Sequence, residues 1–117
     1  MDEGISRCRP TDHRIKEILA EIENNLSQSL SIIDMAASKN VSVSHLRHLF
    51  KQEVGTSITK HVKGVRMNTA CKLLETTNLL VKEIRTKIGI KDESHFMHDF
   101  KTKYGLAPTQ YRRKMRK

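Results

Sequence analysis

The stretch SHLRHLFKQEVG at residues 44–55 is echoed fifty positions later by SHFMHDFKTKYG at residues 94–105, with Ser, His, His, Phe, Lys and Gly in register. A chain of 117 residues that says nearly the same thing twice must build two similar supersecondary units. Its length suits one domain, or two small lobes sharing an element. What each copy folds into follows from its periodicity.

Sustained period-2 alternation and Asn-Gly or Asp-Gly hairpin signals are absent, whereas apolar residues recur at helical spacing throughout. Ile15, Ile18, Leu19, Ile22 and Leu26 mark a first helix, with Thr11 as its expected N-cap. Ser31 and Asp34 form an S-x-x-D start for a short helix at about 32–38, which Asn40 ends with a left-handed exit. Ser42 caps a helix at about 43–53 with Leu46, Leu49 and Phe50 inward, and Gly55 stops it. A long helix at about 57–76 packs through Ile58, Val62, Val65, Ala70, Leu73 and Leu74. A short helix near 81–88, a Gly89 turn and a helix near 93–103 with Phe96 and Phe100 inward follow, and Gly105 is the stop. Pro108 opens a final short turn through Tyr111.

Each copy is therefore a short helix, a tight turn at Asn40 or Gly89, and a second helix with an apolar inner face. That is the layout of a helix-turn-helix unit. The expected fold is all-α, with about seven helices: two helix-turn-helix subdomains joined by a long connector. Residues 1–11 read as an arm or linker, 12–56 as the first subdomain, 57–77 as the connector, and 78–117 as the second subdomain with a basic tail.

Charge indicates a partner. Residues 1–42 carry 5 basic and 7 acidic side chains, a net of −2, and residues 43–117 carry 17 and 6, a net of +11, so the basic excess of the chain lies in the later part. From Lys101 onward there are seven basic residues and no acid. This points to a polyanion, with nucleic acid ahead of an anionic membrane surface. No apolar run approaches the ~20 residues that cross a bilayer, and MDEGISRCRP lacks a signal region, so a soluble, cytoplasmic chain without membrane contact is expected.

In a helix-turn-helix the second helix lies in the major groove of DNA with its N-terminal half against base edges. If Leu46, Leu49 and Phe50 face inward, Val43, Ser44, Arg47, His48 and Lys51 face out. In the second copy Glu93, Ser94, Met97, His98 and Lys101 do so. Arg47 can take O6 and N7 of a guanine together, Glu93 can accept from cytosine N4, and Met97 can touch a thymine methyl. Lys51, Lys101, Lys103, Arg112 and Arg113 suit phosphates. A connector of about 20 residues spans ~30 Å, against ~34 Å between successive major grooves on one side of B-DNA. One chain could then read two grooves.

Other chemistry finds little support. His45/His48 and His95/His98 have i, i+3 spacing but no third ligand at a fitting distance, Asp99 being read as facing away from His98. His45 and His95 are expected at the packed edge between helices. Cys8 and Cys71 form no metal-ligand spacing, and Cys71 reads as a partly buried filler. No phosphate loop or nucleophile–base set occurs. No metal, cofactor or enzymatic activity is expected.

The sequence closely resembles the DNA-binding domain of the AraC/XylS family of bacterial transcription regulators over about residues 13–113. The likeness rests on LSIIDMAASKNVSVSHLRHLFKQEVGTSITKHV, RMNTACKLLETT, VKEIRTKIGIKDESHFMHDFKTKYGLAPTQYR and the closing Pro108-x-x-Tyr111-Arg112. It implies base reading by Val43, Ser44, Arg47 and His48, and by Glu93, Ser94, Met97 and His98. Arg66 matches an arginine of the family's connector and is expected to pair with a carboxylate such as Glu75 or Asp99. Two positions depart from the family pattern: Arg85 stands where a small or apolar residue is usual, and Lys91 replaces the usual small cap, leaving Asp92 to cap the second reading helix. Most members carry a further sensing or dimerising domain, so the chain reads as a stand-alone regulator or as the C-terminal part of a longer one.

The leading expectation is a sequence-specific double-stranded DNA binder that regulates transcription, monomeric as this chain. The alternatives are a non-specific or architectural nucleic-acid binder and a protein-interaction module. The latter would meet RNA polymerase, for example, through the acidic face of the first helix, Glu17, Glu21 and Glu23.

Overall fold

A computed structural model of the protein describes residues 12–116. Among these residues there are seven helices and no strand: α1 (His13–Asn24), α2 (Ile32–Ser38), α3 (Val43–Val54), α4 (Ile58–Thr76), α5 (Val81–Ile88), α6 (Glu93–Tyr104) and α7 (Pro108–Met115). They form two compact units that divide α4 between them. The first takes the described residues up to Asn25 together with Ser29–Lys63, and the second takes Leu26–Gln28 and the described residues from Gly64 on.

Local chemistry sets the helix ends. The Ser31 hydroxyl accepts from the Asp34 N–H at 3.2 Å and the Ser42 hydroxyl from the His45 N–H at 3.0 Å, each satisfying a first-turn donor that has no helical partner. Asp92 does the same for His95 N–H at 3.0 Å, as its place just before α6 suggests. Asn40 turns left-handed at φ 59°, and Gly55, Gly89 and Gly105 exit their helices with φ of 95°, 80° and 83°.

Three readings of the sequence need correction. The N-cap of α1 is Asp12, whose carboxylate accepts from Arg14 N–H at 2.8 Å, whereas Thr11 lies outside the described residues, as do Cys8 and the rest of the 1–11 arm. Leu26 continues the apolar rhythm of α1 but lies beyond its end at Asn24, buried in the second unit. Residues 108–115 form a helix rather than a single turn, with Pro108 in the first turn, where a missing N–H costs no hydrogen bond.

In the first unit, Ile15, Ile18, Ile22, Leu46 and Phe50 are fully buried, joined by Met35, Ala36, Ile58 and Val62. Lys39 draws its ammonium to Glu17 at 2.7 Å and Glu21 at 3.2 Å, tying the end of α2 to α1 and holding the Glu17 carboxyl below its usual range. The second unit buries Met67, Ala70, Leu74, Ile84, Ile88, Phe96 and Phe100, with Tyr104 and Tyr111 packed against them. Each fully buried Phe contributes ~1.5–3 kcal/mol by transfer from water. Ile58 and Val62 serve one core while Met67, Ala70 and Leu74 serve the other, so no single apolar stripe runs the length of α4.

Candidate nucleic-acid interface

The first unit presents α3. Burial of Leu46 and Phe50 fixes its rotation, and the Phe50 ring meets His61 of α4 edge-on at 5.6 Å. Burial lowers the His61 pKa, which favours the neutral ring beside that aromatic face. With those two residues inward, Ser44, Arg47, His48 and Lys51 are exposed and Val43 is half-buried. Glu53, at the other end of α3, accepts from Asp12 N–H at 3.0 Å and so ties the helix to the start of α1.

The second unit presents α6 in the same way. Phe96 and Phe100 are fully buried, Glu93, Ser94, His98, Lys101 and Lys103 are exposed, and Met97 is half-buried. His95 is exposed and pairs with Asp99 at 3.3 Å, one helical turn on. His45 is exposed as well. The expectation that both histidines pack between helices therefore fails, since the buried positions of the two helices are taken by Leu46, Phe50, Phe96 and Phe100. No group of three potential metal ligands occurs among the described residues.

The basic residues read as phosphate contacts differ in their surroundings. Lys51, Lys101 and Arg113 are exposed. Lys103 donates to Asn68 Oδ1 at 3.3 Å and lies 5.4 Å from the Tyr104 ring centre. Arg112 donates from Nε to Leu74 O and from Nη2 to Thr77 O, both at 3.1 Å, which satisfies carbonyls at the end of α4. Arg116, not singled out by its sequence context, donates to Thr77 O and Asn78 Oδ1, both at 2.9 Å. Its position in a basic run gave no sign of that.

A family profile described as "Helix-turn-helix domain" matches residues 35–114. The transcriptional activator AarP of Providencia stuartii is 36% identical over 98 residues, covering 84% of this chain and 73% of AarP. YfiF of Bacillus subtilis, an uncharacterised HTH-type transcriptional regulator, is 37% identical over 98 residues, but the chain spans only 31% of its length. A solved transcriptional regulator with an AraC-type DNA-binding domain, from Chromobacterium violaceum, superposes with a TM-score of 0.78 at 28% identity, covering 89% of this chain and 93% of that one. The chain belongs to the AraC/XylS family.

It carries the family's AraC-type DNA-binding domain, with the all-α, two-unit helix-turn-helix fold. Within that fold the connector arginine behaves differently from its expected role. Arg66 Nη2 donates to the backbone carbonyls of Gln28 at 3.3 Å and, more weakly, Leu26 at 3.5 Å, rather than pairing with Glu75 or Asp99. Those two carboxylates are engaged elsewhere, Glu75 by Tyr111 and Asp99 by His95. Burial depresses the Arg66 pKa. Arg85 spans the α5–α6 turn, with Nη1 donating to Lys91 O at 2.8 Å. Among the described residues, no helix is long and apolar enough to cross a membrane.

Proposed function

We propose that this AraC-type chain binds double-stranded DNA at two successive major grooves, with α3 and α6 as the reading helices. The observation that carries this is the exposed row Ser44, Arg47 and His48, opposite the buried Leu46 and Phe50 in a helix capped just before its first turn. In this reading Val43, Ser44, Arg47 and His48 meet base edges in one groove, and Glu93, Ser94, Met97 and His98 in the next. Lys51, Lys101, Lys103 and Arg113 neutralise phosphates and set the register. Arg112 joins them through its Nη1, the donor nitrogen left over from its two carbonyl bonds.

We assign the chain no catalytic step and read it as a cytoplasmic monomer. RNA polymerase is its proposed protein contact, through the acidic face of α1, although Lys39 already engages Glu17 and Glu21 there.

Selection of bound sequences from a random duplex pool, followed by footprinting, tests the reading. The expected result is a consensus in two blocks about one helical turn apart, with both blocks protected. Binding with a steep salt dependence and no consensus would overturn sequence reading. Protection of one groove alone would overturn the bipartite part.

A further inference from the structure

Arg85 is half-buried on α5, and its guanidinium plane is fixed by the Nη1 bond to Lys91 O. Its Nε–H is buried with no hydrogen-bond partner. Nη2, which carries no hydrogen bond among the described residues, is the guanidinium nitrogen left to donate to an anion. Arg85 lines a hollow of about 370 Å³ together with Ser27, Thr86, Gly89, Ile90 and Lys91, a lining without a carboxylate. A second guanidinium stands behind the turn: Arg66 Nη2 lies 3.3 Å from where a Cβ on Gly89 would be, and Arg66 Nε is likewise buried and unpartnered. Arg85, Arg66 and Lys91 thus stand at one turn, and among the described residues the acceptors bonded to the two guanidiniums are the backbone carbonyls of Leu26, Gln28 and Lys91.

We propose that this hollow binds a phosphate-class oxyanion through Arg85, Lys91 and Ser27. Ser27, Thr86 and Lys91 are exposed, so the site is reachable. The Thr86 hydroxyl is committed to Lys82 O at 3.0 Å, which leaves the Ser27 hydroxyl as the neutral donor. The three donors come from the α1–α2 loop, α5 and the turn after it. Inorganic phosphate or a phosphomonoester gives each donor a separate oxygen, whereas a backbone phosphodiester has two unesterified oxygens, each able to accept more than one hydrogen bond. The oxyanion could be a backbone phosphate of bound DNA or a free phosphorylated small molecule.

The test titrates the isotope-labelled chain, without DNA, with inorganic phosphate against chloride at matched ionic strength. Saturable NMR shifts of the Gly89, Ile90 and Lys91 amides and of the Arg85 Nε–H are expected. Arg85→Gln abolishes them, and Lys91→Gln, which keeps the backbone carbonyl that Arg85 uses, weakens them severalfold with the fold intact. Shifts that match chloride, or that saturate equally in Lys91→Gln, mean an adventitious ion only and overturn the site. A second arm, resting on the DNA-reading proposal, measures affinity for a selected duplex against salt. A fall of ~0.9 in the log–log slope for Arg85→Gln assigns the site to a DNA phosphate. An unchanged slope alongside saturable phosphate binding assigns it to a free anion. If no consensus duplex emerges, the DNA reading fails while the phosphate titration still decides the site.

Discussion

The Tyr111 hydroxyl donates a short hydrogen bond to the Glu75 carboxylate while accepting one from the Cys71 thiol at 2.9 Å. This relay fastens α7 to the second half of α4, beside the Phe100–Tyr104–Tyr111 ring cluster. The Tyr111 pKa is raised, first by its bond with Cys71 and then by Glu75, and burial pushes Tyr104 up to about 12. Burial also raises the Cys71 thiol, which is held as a hydrogen-bond donor and not as a reactive thiolate.

Tyr111→Phe should therefore cost about 0.5–1 kcal/mol, the worth of a part-exposed hydrogen bond. A phenol whose folded pKa is raised adds stability that is intact below its ordinary value near 10 and lost as pH climbs through the folded value. The parent protein should lose stability on the alkaline side, and Tyr111→Phe should lose less. Urea midpoints measured from pH 8 upward check this. Superimposable curves for the two proteins would remove Tyr111 from the account.

Gly89 and Gly55 both have positive φ, yet they should respond differently to alanine. At Gly55 an added Cβ meets nothing within 4 Å, so Gly55→Ala costs the left-handed strain alone, ~1–2 kcal/mol. At Gly89 the same atom would stand 2.1 Å from the Leu26 carbonyl oxygen, which belongs to the backbone and cannot swing away. Gly89→Ala should cost on the order of 3 kcal/mol or more, strain and overpacking together. Comparable losses in chemical denaturation would show that the Leu26 contact is not made.

Asp12 contributes to the acid limb. Its carboxylate accepts from the Arg14 side chain at 2.9 and 3.1 Å as well as from the Arg14 N–H, and the side-chain bond is the main reason its pKa falls to about 2. A depressed carboxylate adds stability above its ordinary pKa of 3.8 that is lost as pH falls toward about 2. Asp12→Asn keeps a capping oxygen but no charge, so helicity followed by circular dichroism from pH 5 to 2 should fall less steeply. An unchanged acid limb would rule out the Arg14 pair as its source.

Arg47→Ala should relax sequence preference at one base pair by ~1–3 kcal/mol while binding to random duplex changes far less. Competition measurements at one fixed salt concentration separate the two. Equal losses on both DNAs would move Arg47 from base reading to phosphate contact.

What was legible in the sequence is what short-range chemistry decides. Ser31, Ser42 and Asp92 each cap a backbone N–H three residues on, and Asn40, Gly55, Gly89 and Gly105 mark exits that need a left-handed residue. The outward row on α3 could be read because Leu46 and Phe50, four apart, fix its rotation. Partners far along the chain could not be read. Arg66 finds Gln28 38 residues away and Tyr111 finds Glu75 36 away, and a single sequence carries no periodicity that links such pairs. His95 misled for a related reason. Its place beside buried Phe96 suggested packing, but one step around a helix is enough to reach solvent and the Asp99 carboxylate.

Leu26–Gln28 belong to the second unit although they lie between two pieces of the first and precede all the rest of their own. A piece cut to begin at Gly64 would keep α5, α6 and α7 yet leave Arg66 without the two carbonyls it holds and Gly89 without the backbone it lies against. During synthesis that small strap leaves the ribosome well before the helices it completes, so the later half of the molecule has to wait for its own end before it can close around a segment made long before.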